Sequence, residues 1–368
     1  MKLAVLKLGA RIVFGQKVGS SGGSGEAASL IEMMVEGGCE VDCYTKVLSS
    51  DQQNRSVNVL NIEDHYENIT SNVYDALVVI NGAVNFFGGQ EDRPQILNYK
   101  AINNFNGKII YLYCDPNLSL KQIWPSIEKK PWASNWNKED INITKPINVI
   151  SQSYNLEKNK ALFEKNGYPV ESIVQYDFQK FPMMKPRETS ILGKTVDLSY
   201  GGTFRSGRRE KKLIEFYFGL PEDISVEVFG KIKITDFNEK KVTGLRPPKF
   251  LPPVDYNNMI QKMSSSKTHI AIGDNQYPDF EMISQRVYES IMAGTLLFID
   301  NEFDKNKRIF GNNTELSNLL YINDRNQFAD RLKSLSDSDY ESLIELQHSC
   351  VDFNKSEYCL NFVKLLEV

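Results

Sequence analysis

The chain has no long apolar run. No stretch of its 368 residues approaches the length of a membrane span, and the opening Met1-Lys-Leu-Ala-Val-Leu-Lys-Leu-Gly is broken by Lys7 with no small-residue cleavage site after it. A cytoplasmic protein without a membrane partner is expected. Cysteine is scarce: the five present (Cys39, Cys43, Cys114, Cys350, Cys359) are odd in number and lack zinc-type spacing, so reduced thiols are expected rather than a disulfide framework. With only His65, His269 and His348, well apart in sequence, a histidine-rich metal centre is not expected. Positive charge is not in excess either, and a net charge of −4 argues against indiscriminate polyanion binding, which needs a broad basic surface. No Gly-x-x-x-x-Gly-Lys-[Ser/Thr] loop occurs, which argues against nucleotide hydrolysis of the P-loop type.

What is present is a regular alternation. The length fits two domains, and the first half alternates apolar runs with helical patterns, the mark of a mostly parallel sheet covered by helices. Strands are expected at Leu3 to Leu8, Ala76 to Ile80, Ile109 to Tyr113 and Ile147 to Ser151, with a helix over Glu26 to Glu36. Between Tyr168 and Lys194 the pattern fails and Pro169, Pro182 and Pro186 appear, so a linker is expected there. Further strands follow at Val196 to Tyr200, Ser225 to Phe229, His269 to Ile272 and Leu296 to Ile299, with helices over Asp255 to Ser265 and Ser284 to Ala293. The fold class is therefore α/β, with two Rossmann-like domains facing across a cleft: residues 1–175 and 190–350, a last helix within 355–368 returning to the first.

In open sheets of this kind ligands bind outside the carboxyl ends of the strands, which would bring Glu26, Asn85 and Asp115 to one crevice. Asp115 ends the apolar strand Ile-Ile-Tyr-Leu-Tyr, where a carboxylate serves either as a general base or as a cap of the next turn. Glu26 is either a site residue or a partner of its helix dipole. Phe86 and Phe87 either cap the core or stack on a base.

The densest signal is Tyr200-Gly-Gly-Thr-Phe-Arg-Ser-Gly-Arg-Arg-Glu210, which joins a strand to a helix. Gly201 and Gly202 would let backbone approach a ligand in the turn, and the N-terminus of the following helix favours phosphate. Arg205 and Arg209, four residues apart, would share one face of a continuous helix and suit a diphosphate. Farther on, Glu289 can accept two bonds from a ribose diol while Arg286 meets a phosphate or base carbonyl; an i,i+3 surface ion pair is the plainer reading.

These segments, with Val79-Ile-Asn-Gly-Ala-Val-Asn-Phe-Phe-Gly-Gly89, Ile272-Gly-Asp274 and Arg286-Val-Tyr-Glu289, resemble the DNA β-glucosyltransferases of T-even bacteriophages. That family consists of inverting, two-domain GT-B enzymes that move glucose from UDP-glucose to 5-hydroxymethylcytosine in duplex DNA. The resemblance implies Asp115 as catalytic base and Glu26 as a second essential acid. It implies a UDP-sugar site of Gly202, Thr203, Arg205, Arg209, Gly230, Val254, Tyr256, Arg286 and Glu289, with Asp274 near the sugar. Because the family flips its target base out of the duplex, it also gives Asn85, Phe86 and Phe87 a place at the DNA. The partners so implied are double-stranded DNA carrying hydroxymethylated cytosine, a UDP-sugar, and a divalent cation (Mg or Mn) as an optional helper, for a monomer working in the infected host's cytoplasm. The glycine-rich loop before Glu26 and the spacing from Asp274 to Arg286 depart from the family pattern. They keep open another donor, such as a UDP-pentose, or a small-molecule acceptor.

Overall fold

The computed structural model describes residues 1–7, 22–45, 56–71, 73–80, 93–113, 142–177, 180, 189–254, 256–274, 276–311, 313–351 and 354–367. The chain divides into two compact units, Met1–Phe181 with Asn354–Val368, and Pro182–Phe353.

In the first unit β1 (Lys2–Leu6), β2 (Glu40–Thr45), β3 (Val57–Asn61), β4 (Ala76–Ile80), β5 (Lys108–Tyr113), β6 (Ile147–Ser151) and β7 (Val170–Gln175) form one sheet. Its order is β3-β2-β1-β4-β5-β6-β7, and all pairings are parallel. A parallel sheet is covered on both faces, which is why β4 (Ala-Leu-Val-Val-Ile) is buried at every position. The covering helices are α1 (Gly22–Glu36), α2 (Ile62–Ile69), α3 (Arg93–Asn104) and α4 (Leu156–Lys165). Helix α1 begins four residues before the expected start at Glu26, through a glycine-rich run of poor intrinsic helicity. Burial of Ala27, Ala28, Leu30 and Ile31 against the sheet outweighs that propensity. The expected irregular stretch after Tyr168 instead contributes β7, an edge strand whose half-exposed, alternating residues hide it from a search for apolar runs.

The second unit repeats the plan with β8 (Val196–Thr203), β9 (Val226–Lys231), β10 (Lys249–Leu251), β11 (Ser266–Ala271), β12 (Leu296–Asp300) and β13 (Tyr321–Ile322). The order is β10-β9-β8-β11-β12-β13, again parallel throughout. Its helices are α5 (Arg208–Tyr217), α6 (Glu239–Val242), α7 (Tyr256–Ser264), α8 (Gln276–Phe280), α9 (Gln285–Met292), α10 (Thr314–Leu320), α11 (Arg325–Ser334) and α12 (Asp337–Val351). From β8 the chain steps outward to β9 and β10, then returns to the other side of β8 at β11. The topological switch point of this sheet therefore lies between β8 and β11, the place where such sheets bind ligands.

The last helix, α13 (Lys355–Glu367), rejoins the first unit, burying Cys359, Phe362, Val363 and Leu366 in the core that holds α1 and β1. Gly37 permits this approach, because a Cβ there would stand 2.3 Å from Val363 Cγ2. Among the described residues no helix is long and apolar enough to cross a membrane, and Cys39, Cys43, Cys350 and Cys359 are free thiols.

Candidate active site

The carboxyl end of β8 is made for close backbone packing. Gly201 and Gly202 lie inside the strand, paired with Phe229 and Gly230 of β9, and not in the turn where the sequence alone would put them. The physical reason is crowding. A Cβ on Gly201 would stand 2.4 Å from the Phe229 ring, and one on Gly230 would stand 2.0 Å from the Gly202 carbonyl oxygen. Gly230 also takes φ of 120°, open to glycine and strained for other residues. Strand β8 thus runs on to Thr203, and the connection to α5 is only Phe204-Arg205-Ser206-Gly207.

Gly207, with φ of 89°, interrupts the helical register, so Arg205 stands before α5 and Arg209 within its first turn. The expected shared helix face does not form. The two guanidinium groups meet all the same, through a third residue: Arg205 Nη1 donates to Asp274 Oδ2 at 2.8 Å, and Arg209 Nη2 donates to the same oxygen at 2.9 Å. Arg209 Nη1 also donates to the Thr203 carbonyl at 3.1 Å. Asp274 follows β11, so the cluster sits at the switch point between β8 and β11. Its loop is held down by Phe303, whose ring passes 2.6 Å from where a Gly273 Cβ would be. The N-cap of α5 is Gly207, which brings no side-chain hydrogen bond to the helix start.

A second charged group anchors α5 from within. Lys212 and Asp300 side chains are 2% and 1% exposed, with Nζ and Oδ1 3.0 Å apart. Glu215 lies 3.0 Å from the same Nζ, while Arg208 reaches Glu302 at 3.0 Å and Asp300 at 3.4 Å. Burial works against the Lys212 charge, but the Asp300 and Glu215 carboxylates outweigh it and hold the ammonium above its ordinary pKa. Tyr217, at the far end of α5, donates its hydroxyl to Ile270 O at 3.0 Å and accepts from Ile270 N at 3.2 Å, fastening the helix to β11. Sequence reasoning missed Asp300, Lys212 and Glu302. The local cue was the basic residues Arg208, Lys211 and Lys212 beside Arg209, with no sign that carboxylate partners lay at the end of β12 and just after it.

Arg286 and Glu289 form the i,i+3 pair, Nε to Oε2 at 3.3 Å, on α9. It is not a surface pair: the Glu289 side chain is 8% exposed, and Arg286 Nη1 contacts the sulfur of Met259. His269 on β11 is buried in the same unit and stacks on Tyr200 with rings 9° apart. Burial, aided by the Arg286 charge, drives its pKa down to about 3, so it is neutral across the working range. Val254 is half-buried between β10 and α7.

Several expected site residues cannot be compared in this way. Asp115, Asn85, Phe86 and Phe87 lie outside the described residues, as do the side chains of Glu26 and Tyr256; Glu26 has its backbone a turn inside α1. Among the described residues no three His, Cys, Asp or Glu side chains meet to hold a metal ion. The Asp337-Ser338-Asp339 segment opens α12, where Asp339 accepts from the Ser336 N–H and hydroxyl.

Two doubly wound parallel sheets in one chain, one carrying paired guanidinium groups at its switch point, are the build of a GT-B glycosyltransferase. The chain belongs to the bacteriophage T4 beta-glucosyltransferase family, whose model matches residues 1–185. It is 29% identical over 369 residues to the DNA beta-glucosyltransferase of Enterobacteria phage T4, covering 97% of this chain and 96% of the relative. Among solved structures, a mutant of T4 phage BGT in complex with UDP-glucose aligns over the whole of both chains at 27% identity and a TM-score of 0.80. T4 phage BGT in complex with UDP and Mn2+ does so at 28% and 0.79.

Proposed function

We propose that this protein transfers glucose from UDP-glucose to hydroxymethylated cytosine in double-stranded DNA. The observation that carries the reading is the convergence of Arg205 and Arg209 at the switch point of the second sheet. Two fixed positive charges at a helix start suit a diphosphate. The DNA half of the reading rests on the family and on a relative named as a DNA beta-glucosyltransferase.

In this account the second unit binds the donor. Arg205 and Arg209 take the diphosphate beside the backbone of Gly202, Thr203 and Gly230. Glu289, with Arg286 beside it, accepts from the ribose diol, Val254 and Tyr256 complete the nucleotide pocket, and Asp274 stands next to the sugar. The first unit receives the acceptor, with Asn85, Phe86 and Phe87 at the DNA and the target base extruded. Asp115 takes the hydroxymethyl proton as that oxygen attacks the anomeric carbon, the bond to the UDP oxygen breaks, and the configuration inverts. The negative charge that grows on the departing diphosphate is met by the two arginines. Glu26 is the second acid of the site. A relative binds Mn2+ together with UDP; such an ion would find no ready cage of three ligating side chains among the described residues.

Calorimetric titration with UDP tests the donor site. Each of Arg205→Ala and Arg209→Ala removes a charge-assisted contact of about 1.5–3 kcal/mol and weakens UDP binding about tenfold or more. Arg209, at 16% side-chain exposure against 48% for Arg205, should show the larger loss because it is less screened. Unchanged UDP affinity in both variants would contradict the reading.

A further inference from the structure

One carboxylate oxygen, Asp274 Oδ2, accepts from both Arg205 and Arg209 at 2.8 and 2.9 Å. It therefore takes up donor N–H groups of both forks that a bridging phosphate oxygen would use. Each guanidinium carries five N–H donors, but a phosphate oxygen seated between the two forks, on these same N–H groups, takes the place of Asp274 Oδ2, because one N–H has room for one good acceptor. Without a counter-ion the free protein would hold two guanidinium groups against each other at the positive end of α5, an unfavourable arrangement.

Resting on the proposed donor site, we infer that Asp274 is a built-in counter-ion that competes with the diphosphate. It holds the two arginines in place in the free protein, yields them to the donor, and reclaims them as the nucleoside diphosphate leaves. Its effect on the two ligand states is opposite to that of an ordinary binding residue. It keeps the arginines oriented, yet it lowers diphosphate affinity and speeds product release. A carboxylate in this position also screens the site against weak anions: a singly charged ion gains too little to replace a charge-assisted pair already made.

The sign of the effect makes the test direct. Asp274→Asn keeps the shape and removes the charge, so UDP and inorganic pyrophosphate should both bind about three- to tenfold tighter at low salt, with UDP dissociation slowed by a similar factor. Asp274→Ala should move affinity the same way. The Arg209→Ala, Asp274→Asn double variant should lose the gain, because the carboxylate acts only through the arginines. UDP is the probe because it lacks the sugar, so a contact between Asp274 and glucose does not enter. A merely structural Asp274 predicts weaker binding on substitution. UDP affinity that is unchanged or weaker in both Asp274 variants, with unfolding midpoints at the wild-type value, would overturn the inference while leaving the diphosphate site intact. Loss of any dependence on Arg205 and Arg209 would instead remove the site itself.

Discussion

Replacing Lys212 by Met tests the buried charge group beneath the arginine turn. The ammonium is 2% exposed, lies 3.0 Å from Asp300 and 3.0 Å from Glu215, and passes 5.3 Å from the centre of the Phe216 ring. Methionine preserves most of the volume, so the main effect is to leave the Asp300 carboxylate, 1% exposed, without its nearest positive partner. Breaking one partner from a buried pair costs about 3–5 kcal/mol. Here the lower end is expected, about 3 kcal/mol, because Arg208 remains 3.4 Å from the same carboxylate. With a urea m-value of about 2 kcal/mol/M for a domain of this kind, the midpoint of the transition that reports on the second unit should fall by about 1.5 M. Adding Asp300→Leu should recover part of the loss, since both charges are then absent and no buried carboxylate is stranded. A midpoint within measurement error of the wild type for Lys212→Met alone would show that the pair is solvated or dispensable, and the anchoring of α5 would have to be explained otherwise.

Gly230→Ala should cost about 3 kcal/mol or more in the same assay, combining left-handed strain with a Cβ 2.0 Å from the Gly202 carbonyl; a loss under about 1 kcal/mol would show that the two strand ends are not packed as described. The buried His269, pushed down to about 3 from an ordinary 6.5, makes the unfolded chain the stronger proton binder between those values. Its contribution is complete above the unfolded pKa and drains away as pH falls toward the folded one, with a slope of up to about 1.4 kcal/mol per pH unit. His269→Phe should flatten urea midpoints between about pH 5 and pH 7, and an undiminished acid slope would assign it to other groups. Asp115→Asn should lower sugar transfer by about two to four orders of magnitude and leave UDP affinity nearly unchanged. A capping aspartate predicts near wild-type turnover instead, since asparagine caps almost as well, and Glu26 would then be the next candidate for the base.

Much of this architecture can be read from local sequence, and the exceptions have physical causes. Strand β4 (Ala-Leu-Val-Val-Ile) coincides with its apolar run because a strand covered on both faces must be apolar throughout. Strand β2 (Glu-Val-Asp-Cys-Tyr-Thr) escapes such a search because it buries Asp42, which is satisfied by Asn58 Nδ2 at 2.6 Å and by the Tyr74 hydroxyl at 2.7 Å. Neither partner is near it in sequence. The sequence singles out Arg205 and Arg209, which meet at Asp274, but the place of the glycines was not legible. Gly201 and Gly202 suggest a turn, and only the Phe229 ring and Gly230 on the neighbouring strand reveal that they serve strand packing. Likewise nothing local separates Arg209 from Arg208 and Lys212. What separates them is the carboxylate each one meets: Asp274 for the first, Asp300 for the other two.

The most direct test of the account is the transfer itself. The purified protein is incubated with duplex DNA carrying 5-hydroxymethylcytosine and with UDP-glucose and a UDP-pentose in competition, and the digested nucleosides are read by mass spectrometry. The account predicts a hexose on hydroxymethylcytosine, with little pentose, because a pocket that hydrogen-bonds the sugar's hydroxymethyl group rejects a donor lacking it. A pentose adduct in clear preference would assign a different donor, and unmodified DNA under conditions where UDP binds would contradict the proposed function.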